Sequence, residues 1–376
     1  RRTMRLGFFL KPGAGLGINV LLSSNIVSHS PDTSRQRGWR ANLTALKLGD
    51  QRDKVIFMSL KVDQMPNLDE FRLRYFVERM VGEGEVVVVD TPVDLVDVAA
   101  RLDGTDKAVL LRQVGPEKAQ LVGGITGSRA RIAKAFGVEP EELLTEVNRR
   151  LSEPQDLVEI ESEDAPVHEV VETGREIDLT KLPVHLQHEL DGAPYISASL
   201  DYVINPATGW TNNGVRRLML RGKTETGIDL VAPSDLKAIY ERCVSSGERL
   251  PIAFAVGSHP CDHLAAVMRM PVDELPLVAR LRGATLPVVK CITSAIRVPA
   301  DVEYVIEGYL DEHGHAEPEG PYGEFLGYYG IVKSNPVFHC TAITRRKDAL
   351  FQTSTISGEH IGWTDTTQLN AIRAEV

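Results

Sequence analysis

From residue 68 onward, the apolar residues are spaced as in helices and strands. Apolar residues recur at helical spacing over residues 68–81, 93–102, 128–136 and 140–151. The mostly apolar runs 85–89 and 108–114, which lie between these segments, are typical of buried strands. Because helices alternate with strands, the pattern predicts an α/β unit. We expect an N-terminal α/β domain over residues 66–155.

The pattern changes after the acidic segment 152–165, which we expect to be a linker. Several later segments alternate apolar with polar residues, as 195–204 does, which indicates strands with one face on a core. The predicted strands cover residues 167–172, 195–204, 217–220, 252–256, 287–293, 303–310 and 336–344, with helices at 234–244 and 275–282. This strand-rich order favours a β-barrel or a strongly bent sheet over residues 160–358.

The first residues of the chain lack a periodic apolar face and differ in charge from the rest. Residues 1–57 hold ten Lys or Arg against three Asp or Glu, a charge of +7. Since the whole chain carries −10, the remainder carries −17. We interpret residues 1–65 as a basic leader that is disordered or not native to the protein, with a transit peptide as the alternative.

Composition then excludes several classes of protein. A chain of 376 residues with 43% hydrophobic and 25% charged residues can bury a sizeable core and is neither collagen-like nor wholly disordered. Its acidic balance argues against nucleic-acid binding, which needs a basic face. No apolar run reaches the 18 or so residues of a membrane span. The four cysteines are dispersed along the chain and predict neither a zinc ribbon nor a disulfide framework: Cys243, Cys261, Cys291 and Cys340. Their pattern favours a location in the reducing cytoplasm.

Two glutamates bracket a Gly-Pro-x-Gly turn in the segment 317–324. Such a turn can aim the carboxylates of Glu319 and Glu324 into one space. Adjacent carboxylates repel each other when both are ionised, so one should keep its proton at neutral pH and act as a general acid. An exposed acidic loop is the alternative interpretation.

A second polar segment, 210–217, is expected to be a turn that leads into a strand. The carbonyl oxygen of Asn212 suits a hard divalent cation. Backbone N–H groups around Gly214 and Val215 could hold a phosphate, and Arg217 could pair with a carboxylate. A hairpin turn with solvated arginines is the alternative.

Carboxylates at two predicted helix N-termini could complete a metal site. Glu274 begins one helix, and Asp235 follows Ser234 at the start of another. Carboxylates at these positions usually cap the helix, which is the simpler interpretation. No GxGxxG follows a strand, and neither GxxxxGK[ST] nor GxSxG occurs in the chain.

Four motifs in this order resemble UbiD-type decarboxylases, over about residues 68–358. They are Trp-Thr-Asn-x-x-x-x-Arg at 210–217, Leu-Pro-Val-Val-Lys-Cys at 286–291, Val-Pro-Ala followed by Glu-x-x-x-Glu-Gly at 298–308, and Glu-Gly-Pro-Tyr-Gly-Glu at 319–324. The resemblance implies prenylated FMN as cofactor and a split β-barrel of the flavin-reductase type as its domain. It also implies a C-terminal α/β domain, of which residues 359–376 would be an incomplete start.

The resemblance also assigns roles to individual residues. Asn212 and Glu274 match ligands of a divalent metal, usually manganese, and K⁺ is a further candidate cation. Asp235 stands where some members supply a histidine, which leaves the third metal ligand open. Further matches are cofactor contacts and a Glu-Arg-Glu network: Asn212, Val215, Arg216, Arg217, Ser234 and Asp235 for the cofactor, and Arg217, Glu319 and Glu324 for the network.

The expected function is a non-oxidative, reversible decarboxylation of an unsaturated or (hetero)aromatic carboxylic acid. Arg217 would bind the substrate carboxylate and pair with Glu319, and Glu324 would deliver the proton that replaces CO₂. A flavin prenyltransferase would supply the cofactor, and family members are usually homo-oligomers. Two alternatives stay open: an FMN-dependent reductase of the split-barrel type, and a non-catalytic partner subunit of a decarboxylase.

Overall fold

The computed structural model describes residues 66–354, 356 and 365–376, so the predicted leader 1–65 lies outside the described residues. In that part of the chain the α-helices are α1 Leu73–Gly82, α2 Val98–Asp103, α3 Arg129–Phe136, α4 Leu143–Ser152, α5 Asp235–Ser245, α6 Pro260–Val267, α7 Glu274–Arg282 and α8 Asp365–Glu375. None of these helices is long and apolar enough to cross a membrane.

The strands of the same residues fall into three larger sheets and two short ribbons. They are β1 Val86–Val89, β2 Ala108–Val114, β3 Ala119–Gly123, β4 Leu157–Glu159, β5 Val170–Thr173, β6 Tyr195–Ile204, β7 Thr211–Leu220, β8 Glu225–Ile228, β9 Leu250–Val256, β10 Leu286–Lys290, β11 Arg297–Pro299, β12 Tyr304–Leu310, β13 Glu317–Glu319, β14 Tyr322–Gly323, β15 Tyr329–Gly330, β16 Lys333–Asn335, β17 Val337–Arg345 and β18 Leu350–Thr353.

Six antiparallel strands close into the predicted β-barrel. They pair in the order β12, β9, β6, β7, β8 and β17, and the pairing of β12 with β17 closes the ring. Closure at the bulge in β12 requires Gly308, because a Cβ there would lie 1.9 Å from the backbone oxygen of His339. The barrel is therefore confirmed, whereas its split form stays a prediction.

Strand β6 is buried on both faces, although its alternation predicts only one buried face. Nine of its ten residues are buried. Val203 belongs to a core cluster with Phe254 and Phe338, whose rings meet edge to face at 5.0 Å. Leu200 and Tyr202 belong to another cluster, which includes residues of α6 and α7. The second face is buried because helices cover the outside of this strand, and the strand's own pattern does not record that.

The predicted helices and strands of the N-terminal α/β segment are present, but β3 was not predicted, and the sheet is not made from that segment alone. The order is β1, β2, β3 and β18, with β18 arriving from beyond the barrel to pair in parallel with β3. The acidic segment 152–165 is not a free linker, because β4 within it pairs with β10. Residues from Pro66 onward form one compact unit, and a domain boundary near residues 155–160 stays a prediction.

A fully buried guanidinium joins α6, α7 and the segment that precedes β12. Arg282 donates to Asp262 at 2.7 Å and to Asp301 at 2.6 Å, and all three side chains are at most 1% exposed. Asp262 lies on α6, which follows the N-cap residue His259. Pro260 at the first position of this helix favours the helical start.

Arg282→Met should strongly destabilise the fold. The substitution leaves Asp262 and Asp301 buried without their cation, which costs about 3–5 kcal/mol in free energy of unfolding. Urea unfolding measures the loss. The matched control is Arg297→Met, which breaks an exposed pair with Glu159 and should cost about 0–1 kcal/mol. Equal losses in the two variants would contradict the assigned role of the buried pair.

Candidate active site

The site is built on β7, and the expected turn at 210–217 is wrong. Residues from Thr211 onward form one continuous strand that pairs with β6. On its other edge, the N–H groups of Thr211 and Asn213 donate to the carboxylates of Asp273 and Glu274 at the start of α7. These polar residues therefore lie in a strand because a helix far along the chain satisfies their backbone. Val215, two residues on, lies on the same edge.

Arg217 is the centre of the acidic end of the site. Its guanidinium lies 2.8 Å from Asp229, 3.3 Å from Glu324 and 3.4 Å from Glu319. It also stacks over the ring of Tyr322 at 4.4 Å. The three predicted residues of the Glu-Arg-Glu network are thus brought together, and a third carboxylate, which the sequence did not indicate, makes the shortest of these ion pairs.

The two glutamates reach Arg217 from one folded segment. Glu319 ends β13, whose partner β16 carries Asn335, and the amide of Asn335 donates to Glu319 at 3.3 Å. Glu324 follows β14, where the chain turns back into β15. Glu319 is 1% exposed and Glu324 is 27% exposed at the side chain. The interpretation as an exposed acidic loop therefore fails for Glu319, while Glu324 has access to solvent.

Burial and charge together set the protonation of this end of the site. Burial opposes the charge on Arg217, but Asp229, Glu319 and Glu324 outweigh it and raise its pKa, so that it stays a cation. Burial, with Glu319 nearby, raises the pKa of Tyr195 well above its usual range. Burial likewise raises the pKa of Tyr322. Both phenols are therefore neutral at physiological pH, and the guanidinium of Arg217 is the cation of this end of the site.

The predicted metal ligands lie at the opposite end of the same cavity. The Asn212 amide contacts the Glu274 carboxylate at 2.8 Å. Ser234 caps α5 by accepting from the backbone N–H of Lys237, and Asp235 follows it as an exposed residue of the first turn. Asn212 and Glu274 are thus in contact, whereas Asp235 only lines the cavity with them.

The donor set at this end fits a hard divalent cation. Burial raises the pKa of Glu274 to about 7, opposed by the Asn213 N–H and reinforced by Asp201 and Asp235. The Asn213 amide is buried without a hydrogen-bond partner among the described residues. Amide and carboxylate oxygens are the ligands that such cations prefer, and a cation would offset the clustered negative charge. No group of three His, Cys, Asp or Glu in the described residues forms a metal site by itself.

One cavity of about 630 Å³ connects the two ends, which is within the range of small-molecule sites. Its wall includes residues 212–217, Ser234, Asp235, Glu274 and Glu324.

Sequence reasoning missed further lining residues that share no motif with these: Ser197, Met268, Arg269, Phe325 and, from α8, Arg373. Sequence reasoning also missed Asp229. The one feature that could have indicated it is its position directly after β8, the strand that pairs with β7. Three arginines in the wall, Arg216, Arg269 and Arg373, suit an anionic group such as phosphate.

Two family models match the chain. The model described as the UbiD 3-octaprenyl-4-hydroxybenzoate carboxy-lyase Rift-related domain matches residues 158–360. The chain belongs to the UbiD family. The N-terminal domain model of the same carboxy-lyase matches residues 77–151. The family predicted from the four motifs is therefore confirmed.

Similar proteins include two decarboxylases and a further UbiD-class enzyme. Anhydromevalonate phosphate decarboxylase of Methanosarcina mazei is 34% identical over 74% of this chain, which spans 64% of that relative's length. An evolved dimeric form of the UbiD-class enzyme HmfF from Pelotomaculum thermopropionicum, in complex with prFMN, is 31% identical with a TM-score of 0.75, covering 81% of this chain and 71% of its own. Vanillic acid decarboxylase of Sedimentibacter hydroxybenzoicus in closed form is 26% identical with a TM-score of 0.75, covering 80% and 67%.

Asp201, beneath the metal end, should make the stability of this UbiD-family chain depend on pH. Burial raises its pKa from 3.8 to about 6, opposed by Arg216 at 3.0 Å. Because the folded pKa is raised, the stability that Asp201 contributes is complete below about pH 4 and is lost as the pH rises through about 6.

We therefore expect the free energy of unfolding of Asp201→Asn to rise by about 2–3 kcal/mol relative to that of the wild type as the pH increases from 4 to 8. Urea unfolding at both pH values measures the difference. Asp94→Asn, at an exposed position, serves as the control and should follow the wild-type pH dependence. A pH-independent difference between Asp201→Asn and the wild type would refute the expectation.

Proposed function

We propose that this UbiD-family chain catalyses the non-oxidative, reversible decarboxylation of an unsaturated or (hetero)aromatic carboxylic acid with prenylated FMN. The observation that carries the proposal is the Arg217 guanidinium, held by Glu319 and Glu324 at the wall of a cavity of small-molecule size. The decarboxylases among the relatives, and a UbiD-class enzyme in complex with prFMN, support the same reaction class. The chain spans 64% of the curated relative, so the activity of the whole protein is part of the proposal.

Each member of the network has a distinct part in the proposed reaction. Arg217 binds the substrate carboxylate by paired N–H donation, and Glu319, which is buried, holds the guanidinium in place. When the bond between the substrate carbon and CO₂ breaks, the Glu324 carboxyl group donates a proton to that carbon. Glu324 then regains a proton from solvent, to which it is partly exposed. In the reverse direction the same carboxylate accepts the proton.

The metal end would hold the cofactor. Prenylated FMN, when bound, supplies a ring system that accepts the electron pair released as CO₂ leaves. Asn212, Glu274 and Asp235 would bind a divalent metal, Mn²⁺ by preference, with K⁺ as a further cation. Further contacts to the cofactor would come from Val215, Arg216, Arg217 and Ser234, with the backbone around Val215 and Arg216 holding its phosphate.

The remaining parts of the proposal concern the setting of the protein. The substrate partner is a small aromatic or unsaturated acid, and a flavin prenyltransferase supplies the cofactor. We further propose a homo-oligomer with a split form of the barrel and a C-terminal α/β domain that begins within residues 359–376, of which 359–364 lie outside the described residues. The four cysteines are unpaired and buried, which supports a reducing compartment such as the cytoplasm.

Glu324→Gln should block turnover while the flavin stays bound. The amide keeps the shape of the side chain but has no acidic proton to transfer, so the decarboxylation rate should fall about a hundredfold or more. The measurement is CO₂ release from a panel of aromatic and unsaturated acids, after co-expression with a flavin prenyltransferase. Flavin absorbance and mass spectra report on the bound cofactor.

The matched control is Glu317→Gln, an exposed glutamate in the same segment, which should retain the wild-type rate. An unchanged rate in Glu324→Gln would remove Glu324 from its proposed role. Ordinary FMN in the wild type, reversibly bleached by a reduced nicotinamide, would favour the reductase. A wild-type chain without flavin after co-expression would favour the non-catalytic subunit.

Glu274→Gln should lower the manganese content of the purified chain about tenfold, because metal affinity depends on ligand charge. Elemental analysis measures the metal, and Asp235→Asn shows whether this exposed carboxylate is the third ligand, in which case its metal content also falls. Glu241→Gln, exposed on α5, is the control with expected wild-type content. Equal metal in Glu274→Gln and Glu241→Gln would exclude Glu274 as a ligand.

A further inference from the structure

A short segment from before β6 lies against the folded segment that carries the two glutamates. We call residues 187–192 the bracing segment and residues 319–330 the glutamate hairpin. The backbone N–H of Gly192 donates to the oxygen of Pro321 at 2.8 Å, and that of Leu190 donates to the Tyr329 hydroxyl at 2.9 Å. Two segments that are far apart in the chain are thus joined through backbone groups.

Asp191 makes the most consequential of these contacts. Its side chain is fully buried. One carboxylate oxygen accepts the backbone N–H of Gly323 at 2.8 Å, from a residue 132 positions away. The other oxygen accepts the N–H groups of Gln187 and His188 at 3.2 and 2.9 Å. A carboxylate that accepts three backbone donors is held in one orientation and fixes those donors in turn.

Glycines keep the bracing segment and the hairpin in close contact. A Cβ on Gly192 would lie 2.3 Å from the backbone oxygen of Gly320. A Cβ on Gly323 would lie 2.1 Å from the ring of His188. A larger residue at position 192 would displace the backbone of Gly320, and one at position 323 would displace the His188 ring. The contact is therefore a close fit, with the Asp191 carboxylate on the N–H of one of these glycines.

Gly323 directly precedes Glu324, so the position of its N–H determines where the Glu324 side chain begins. Beyond Glu324 the hairpin tip is exposed, with Phe325, Leu326 and Tyr328 at 44%, 54% and 62%. An exposed tip with little packing of its own is expected to move. The anchor at Gly323 lies between this tip and the buried Glu319.

The geometry points to Asp191 as a positioning residue for Glu324. Its buried carboxylate fixes the glutamate hairpin at Gly323 and thereby keeps the Glu324 carboxylate within reach of Arg217 and of the cavity. Asp191 does not line the cavity and donates no proton to substrate. The functional part of this inference rests on the proposed function, whereas the anchoring of the hairpin does not.

Asp191→Asn tests the inference with two readouts. An amide has one acceptor oxygen and an NH₂ group that donates, so it cannot satisfy Gly323 and the bracing-segment donors together. We expect hydrogen exchange in peptides that cover residues 319–330 to accelerate about tenfold or more, since a bond to a charged group is lost. We also expect kcat to fall about tenfold or more, with KM within about threefold and flavin occupancy unchanged. The protein used is the full chain purified after co-expression with the prenyltransferase.

Asp311→Asn is the matched control. This buried carboxylate also accepts a backbone N–H, that of His313, and like Asp191 it does not line the cavity. It should leave exchange in residues 319–330 at the wild-type rate, and equal acceleration there would overturn the inference. So would wild-type exchange in Asp191→Asn. If that variant does not fold, Asp191→Glu keeps the charge but displaces the carboxylate by one methylene, and it should accelerate exchange of the same peptides about threefold. An unchanged rate would then overturn the inference.

An inactive wild-type chain would count against the proposed function alone. The exchange measurement would still decide whether Asp191 anchors the hairpin.

Discussion

A partly buried guanidinium among three carboxylates is the interaction on which the candidate site depends. Arg217 could not be removed from water alone, because an unpaired buried charge is too costly. Its partners are Asp229, which directly follows β8, the strand next to β7, and the two glutamates of the glutamate hairpin, Glu319 and Glu324. Because Asp229 and the two glutamates lie on two segments that are far apart in the chain, the three ion pairs form together only when the barrel has closed and the hairpin has folded back on it.

The barrel provides the rigid frame for this arrangement. Strand β7 pairs with β6 and β8 and at the same time forms the wall of the cavity, so the residues from Asn212 to Arg217 are placed by the hydrogen bonds of a closed sheet. Sites on such elements are more precise than sites on free loops. Helix α7 adds the second wall, with Glu274 at its N-terminus in the site and Arg282 at the other end tied to Asp262 and Asp301.

The two ends of the cavity differ in how their charge is balanced. At the Arg217 end, a cation within the chain offsets the carboxylates. At the other end, burial raises the pKa of Glu274 to about 7, with Asp201 and Asp235 adding to the effect. A cation bound there would offset this charge, which is the physical reason to propose a metal at that end. In the proposed function, the two ends divide binding of the cofactor from proton transfer.

The sequence by itself determined the helices and strands that stand out as periodic or mostly apolar segments, among them α3, α4, β9, β12 and β17. Its motifs identified the family and the trio of Arg217, Glu319 and Glu324. It could not determine features that depend on distant partners. Helix α7 makes the polar residues 211–216 part of a strand, β18 completes the N-terminal sheet, and helices bury the second face of β6. Asp229 joins the site only through the pairing of β7 with β8. Local patterns record which face of an element is apolar, whereas only the tertiary structure decides what covers that face and which charges meet there.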